Sequence, residues 1–232
     1  NRAVSGPLDI RGDHSDLYFT LNTGWIVLMA RNAQAVYDMN FLAVRIGEHP
    51  DVRLPVIVSY DGFFTSHQKR RVQIFAKEEP HVRRFLGEPK HPYHALDPSR
   101  PVTIGPYMND PDLINNKYQH HLAMEAARKQ LPSLFREYAE LSGRRYDFLE
   151  CYRMRDAEVA IFLVNSAAET TRAVVDKLRK EGTKVGVVRP TVLPPFPARQ
   201  LARVLKAVRV LVRGARAASV GSGGGKRAHE LR

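Results

Sequence analysis

Two short runs, Gly24-Trp25-Ile26-Val27-Leu28-Met29-Ala30 and Leu54-Pro55-Val56-Ile57-Val58-Ser59-Tyr60, restrict this chain to a narrow set of folds. Neither alternates apolar with polar residues, so each reads as a strand covered on both faces. Pro55 stands near the first residue of its run, where no central ladder bond is lost. Between the runs, Asn32 is placed to cap a helix. Ala33, Val36, Tyr37, Phe41 and Val44 then recur at helical spacing as far as about Gly47. His49-Pro50-Asp51 ends the pattern. Strand, helix and strand in this order make a βαβ unit, and hence a parallel sheet.

The last third repeats the alternation. Residues 158–164 read as a strand, Asn165-Ser166-Ala167-Ala168-Glu169 as a turn, and 170–180 as a helix ending at Gly182. A strand over 184–189, a helix across 201–205 and a strand over 208–212 follow. This spacing predicts a three-layer α/β sandwich. In between, 72–75 suggests one more short strand, and the proline- and histidine-rich stretch 80–111 suggests a linker. Residues 113–141 read as largely helical, with Pro132 making a kink or starting a second helix.

Two loops hold the residues with chemistry. The first, Gly6-Pro7-Leu8-Asp9-Ile10-Arg11-Gly12-Asp13-His14-Ser15-Asp16, has no helical or strand period. Loops on a rigid scaffold carry binding and catalysis more often than the scaffold does. The same residues also suit a solvated turn whose aspartates bond neighbouring amides. The second, Asp61-Gly62-Phe63-Phe64-Thr65-Ser66-His67, follows directly on the second strand. Ligands of open parallel sheets sit beyond the carboxyl ends of strands, although local bonding of Thr65 and Ser66 is the plainer alternative. Gly12, Asp13, His14, Ser15, Asp16, Asp61, Thr65, Ser66 and His67 are therefore the loop candidates. The turn at 165–169 aims amides from a helix N-terminus, a weak anion signal without a glycine pattern. His81, His91, His94, His120 and His121 lack metal-ligand spacing, so no metal is expected on them.

Composition narrows the partners. A net charge of +12 invites a nucleic-acid reading, yet from Arg199 onward nine basic residues stand against Glu230 alone. The excess therefore belongs to the tail, and no RNA- or DNA-binding signature accompanies it. Gly221-Ser222-Gly223-Gly224-Gly225-Lys226-Arg227 lacks the strand and helix of a P-loop and reads as solvated. Cys151 is the single cysteine, which excludes an internal disulfide or a cluster built by this chain alone and fits a reducing compartment. It reads as a packed, inert thiol. No apolar run is long enough to span a bilayer and no leader precedes Asn1, so a cytoplasmic location is expected. The start without Met suggests a processed or shortened chain.

Taken together, the motifs resemble a known family. Asn1-Arg2-Ala3-Val4-Ser5, Gly12-Asp13-His14-Ser15-Asp16, Thr23-Gly24-Trp25 and Tyr60-Asp61-Gly62-Phe63 with Ser66-His67 look like the α subunit of pyruvate:ferredoxin oxidoreductases. Gly105-Pro106-Tyr107-Met108-Asn109-Asp110-Pro111-Asp112, Arg189-Pro190 and Pro195-Phe196-Pro197 extend the match to about Val212. The resemblance implies a thiamine-diphosphate enzyme that oxidatively decarboxylates a 2-oxoacid, passes electrons through iron–sulfur clusters to ferredoxin and forms acyl-coenzyme A. It implies residues 1–80 as the C-terminal part of a pyrimidine-binding domain and 81–112 as a linker. It implies 113–213 as a transketolase-C-terminal-like domain and 214–232 as a flexible basic tail. Arg2 matches the family's substrate-carboxylate arginine, a role suited to a fork that pairs two oxygens at once. The activating glutamate would lie upstream of Asn1. Diphosphate and Mg2+ would be held largely by a β subunit, the clusters by a ferredoxin-like subunit, with a γ subunit completing the assembly. The chain alone would then be inactive. A non-catalytic scaffold fragment is the alternative, and a basic nucleic-acid module a more distant one. Arg213-Gly214-Ala215-Arg216 and Gly225-Lys226-Arg227 replace the family's usual acidic-Arg pair and Gly-Gly-Pro-Leu loop, which implies an altered C-terminal end.

Overall fold

A computed structural model of the chain describes residues 3, 7, 9–77, 79–88, 96–102, 105 and 107–217. A one-and-a-half-turn helix α1 (Ser15–Thr20) and a 3-10 turn (Leu21–Thr23) lead into strand β1 (Ile26–Met29). Gly24 joins them at φ 83°, and a side chain there would run into the His120 ring. Helix α2 (Ala33–Gly47) follows, and Asn32 Oδ1 accepts the Ala35 amide at 3.0 Å as its cap. Strand β2 (Val56–Ser59) returns parallel to β1 in the register Ile26 to Val56. The buried face of α2 is Ala35, Met39, Leu42 and Ile46, one helical stripe packed on this sheet.

Helix α3 (Pro80–Leu86) occupies the start of the expected linker, and Phe85 buries its ring 5.5 Å from Tyr138. Helix α4 (Asp112–Ser142) is one continuous element with Pro132 inside it, so of the two expected outcomes no second helix starts there. Leu131, Leu134, Phe135 and Tyr138 are buried around the proline. Their packing offsets the lost hydrogen bond and ring clash, which cost about 3 kcal/mol in a helix interior. Because these residues share a core with β1 and α2, α4 packs with the first unit, whereas the sequence reading grouped it with the second.

Strand β3 (Leu149–Tyr152) was not foreseen. It pairs antiparallel with β5, its mixed residues suiting an edge position, and Cys151 is exposed there, not packed. Strand β4 (Val159–Phe162), helix α5 (Asn165–Lys180), strand β5 (Val185–Pro190), helix α6 (Ala198–Leu205) and strand β6 (Val210–Arg213) complete the chain. The sheet order is β3-β5-β4-β6, parallel except for β3. Val185 and Val187 of β5 pack in the α5 cluster, while Val188 packs with Phe162 and Leu201 of α6. Alternate side chains thus reach opposite faces, giving the three α/β layers.

Residues 72–75 form no strand. Val72 and Ile74 are exposed, and Gln34 replaces a strand partner by accepting the Gln73 amide at 2.6 Å and donating to its carbonyl at 3.0 Å. The expected turn at 165–169 is already the first turn of α5. The two sheets also meet. Met29 N donates to Thr191 O at 2.7 Å, Leu193 N to Val27 O at 2.9 Å and Val27 N to Pro194 O at 3.0 Å. The chain leaving β5 therefore covers the free edge of β1, as a wholly buried strand requires.

Candidate functional site

Both candidate loops converge under the N-terminus of α5. His14 sits just ahead of α1, and Asp61 two residues beyond β2, so each inherits its position from the βαβ scaffold. His14 Nε2 and Asp61 Oδ1 are 2.9 Å apart, with side chains 1% and 0% exposed. Asp61 Oδ2 accepts the Ser166 amide at 2.9 Å and the Ser166 hydroxyl, while Asn165 Nδ2 approaches Oδ1 at 3.4 Å. A buried carboxylate here answers the orphan amides and positive end of α5, whose own cap residue Val164 offers no side-chain acceptor. Burial alone would raise the Asp61 pKa, but the hydrogen bonds from His14 and Ser166 outweigh it and hold the carboxyl at about 2.

Arg216 closes the node. Its carbonyl accepts the His14 amide at 2.8 Å, its guanidinium lies 3.5 Å from Asp61 Oδ2, and it sits 4.5 Å over the Phe64 ring. A Cβ on Gly12 would come within 3.2 Å of that guanidinium, so the glycine permits the close approach.

The remaining candidates do not join this pair. Asp13 accepts the Ser15 amide at 2.7 Å and Asp16 the Leu17 amide at 2.6 Å, in the manner of local turns. Ser15 is the half-buried first residue of α1. Ser66 Oγ accepts the Phe63 amide at 2.9 Å and bonds His67 Nδ1 at 2.7 Å, both residues lying on the exposed outside of the loop. Thr65 is buried and lines a cleft described below. Arg2 lies outside the described residues.

Sequence reasoning missed a second charge cluster. Glu150 of β3 receives hydrogen bonds from Arg31, just past β1, and from Arg172 of α5. Arg189 of β5 reaches the same carboxylate at 2.7 Å and donates to Met29 O at 2.6 Å. Complete burial, then the neighbouring Arg31 and Arg172 charges, push the Arg189 pKa down to about 9. No cavity opens among these groups, so they act as a clasp between the sheets. Arg189-Pro190 was visible as a motif; its partners lie on three other elements and leave no local signal.

Beyond the carboxyl ends of β1 and β2 lies a cleft of about 360 Å³. Its walls are the start of α2, the Thr65–Arg71 side of the second loop and the first turn of α5. Arg31, Arg70 and Arg71 face Glu169 there, so the lining is basic. Among the described residues, no group of three or more His, Cys, Asp or Glu is placed to hold a metal ion. No helix there is long and apolar enough to cross a membrane.

Fold and site together define a two-unit α/β protein whose motif loops meet at the carboxyl ends of parallel strands. Residues 1–138 match the family described as pyruvate flavodoxin/ferredoxin oxidoreductase, thiamine diP-binding. Residues 157–232 match pyruvate:ferredoxin oxidoreductase core domain II. The chain belongs to the pyruvate flavodoxin/ferredoxin oxidoreductase family. It is 43% identical over 222 residues to the pyruvate synthase subunit PorA of Thermotoga maritima, covering 96% of this chain and 56% of that one. To the corresponding subunit of Pyrococcus abyssi it is 39% identical, covering 91% and 53%. A solved 2-oxoglutarate:ferredoxin oxidoreductase from Magnetococcus marinus, with 2-oxoglutarate, coenzyme A and succinyl-CoA bound, superposes with TM-score 0.59 at 15% identity. That match covers 92% of this chain and 39% of the other, and at such identity it is a likeness of fold. The chain spans about half the length of the curated relatives it matches.

Proposed function

We infer that this chain forms part of an α-type subunit of a thiamine-diphosphate-dependent pyruvate:ferredoxin oxidoreductase. The observation that carries the reading is the family match over residues 1–138, in which the two quoted loops close on one buried His14–Asp61 pair. Bound thiamine diphosphate would supply the means to cleave carbon dioxide from the 2-oxoacid. Three described carboxylates are already committed to partners within the chain. Asp61 is committed to His14 and Ser166, Asp38 to Tyr138, Tyr146 and Arg144, and Glu169 to Arg31. The family resemblance assigns the activating acid to a glutamate upstream of Asn1.

This chain's own work is binding and positioning. Arg2 grips the substrate carboxylate. His14 and Asp61 hold the Gly12–Asp16 loop against the second unit, which completes the wall of the active site and excludes water. Mg2+ and the diphosphate belong with a β subunit, and iron–sulfur clusters with a ferredoxin-like one. A γ subunit, coenzyme A, ferredoxin and a cytoplasmic setting complete the proposal. The decisive experiment measures thiamine-dependent, coenzyme A-dependent reduction of ferredoxin by pyruvate, using the full-length α subunit assembled with its partners. Arg2→Ala should raise the pyruvate KM at least tenfold. No activity in the wild-type assembly would defeat the reading, and an unchanged KM would remove Arg2 from the site. The engagement of both Asp61 oxygens by His14 and Ser166 supports a second reading, a bracing fragment without catalysis of its own. It predicts no pyruvate oxidation even by the full-length α subunit assembled with the same partners.

A further inference from the structure

The basic cleft beyond β1 and β2 has a charge balance that the motif chemistry leaves unused. Arg31 is compensated by Glu150 and by Glu169 at 3.1 Å. Arg70 donates Nε and one Nη to Gln68 Oε1 at 2.9 and 2.6 Å, a neutral acceptor that orients the guanidinium and leaves its charge uncancelled. Arg71 has no carboxylate partner among the described residues. Two positive charges therefore line one concave wall without anions to match them. Guanidinium forks pair with the oxygens of phosphate in two parallel hydrogen bonds. A phosphate monoester, with its second pKa near 6, carries close to two negative charges at neutral pH.

Size and lining extend the match. About 360 Å³ is far more than a bare phosphate ion fills and falls within the range of small-molecule sites. The Phe64 ring forms part of the wall and offers an apolar surface to an organic group.

We propose that this cleft binds a small phosphate monoester, Arg70 and Arg71 holding the phosphate and Phe64 flanking the organic part. The proposal does not rest on the thiamine reading, and its readout is binding to the chain itself, so either can fail alone. The test is calorimetric titration of the 232-residue chain at low salt with phenyl phosphate, inorganic phosphate and acetate. Phenyl phosphate should bind saturably at one site, at least tenfold more tightly than inorganic phosphate, with acetate weaker than both. Arg70→Ala and Arg71→Ala should each weaken it at least fivefold. Lys69→Ala, which removes the same charge beside the cleft wall, should leave it unchanged. Circular dichroism and urea midpoints on each variant verify the fold. The proposal is overturned by absence of saturable binding, by equal affinity for acetate or inorganic phosphate, or by equal weakening in Lys69→Ala.

Discussion

Asp61 gathers more partners than any loop residue named from the sequence, and its chemistry sets a measurable acid dependence. Its carboxyl, held at about 2 against an ordinary 3.8, is depressed on folding. The stabilisation is therefore complete above the ordinary value and lost as pH falls from about 4 toward 2, amounting to about 2 kcal/mol. Urea midpoints of the wild-type chain should drop across that window, and Asp61→Asn should flatten the drop. An equally steep acid profile in the variant would contradict the assignment. At neutral pH, Asp61→Ala leaves His14 and the α5 amides without their acceptor and should cost about 3 kcal/mol. Both residues were legible as loop candidates, but 47 positions separate them and nothing local couples them. Asp13, Asp16, Ser66 and His67 looked equally eligible because residue type and loop context are all that a sequence offers. Burial and partnership separate the four from the node.

Elements with a strong period were readable, and those fixed by neighbours were not. β1, α2 and β2 follow from unbroken apolar runs and one helical stripe, with Asn32 as the cap. Asn32→Ala should lower stability by about 1 kcal/mol in denaturant unfolding. β3 carries Glu150 and exposed Cys151, so no period reveals it; it is a strand because the edge of β5 needs a partner. Residues 72–75 show the converse, a β-prone run whose backbone bonds the Gln34 side chain in place of a strand. α4 survives Pro132 through packing. Pro132→Ala should therefore raise the unfolding free energy by about 1–2 kcal/mol, restoring an amide donor where the helix lacks one. A decrease would mean that the proline ring itself is needed in the core.

At the scale of the whole molecule, Glu150 holds Arg31, Arg172 and Arg189 together across β1, β3, α5 and β5. Glu150→Ala strands Arg172 and the fully buried Arg189, while Arg31 keeps Glu169, and should cost about 3–5 kcal/mol in urea unfolding. Glu150→Gln, which keeps acceptors, should lose less; a cost equal to that of the alanine variant would refute a hydrogen-bonding share in the clasp. The sequence by itself determined the alternation of strands and helices, the parallel sheets and the family to which the chain belongs, because periodicity and motif order are local or strictly linear properties. Only the tertiary structure decided that α4 packs with the first unit, that residues 191–194 cover the edge of β1, and which acidic and basic groups face one another. Those choices depend on which surfaces and unpaired backbone groups meet once the chain is compact, and that competition has no signature along the chain.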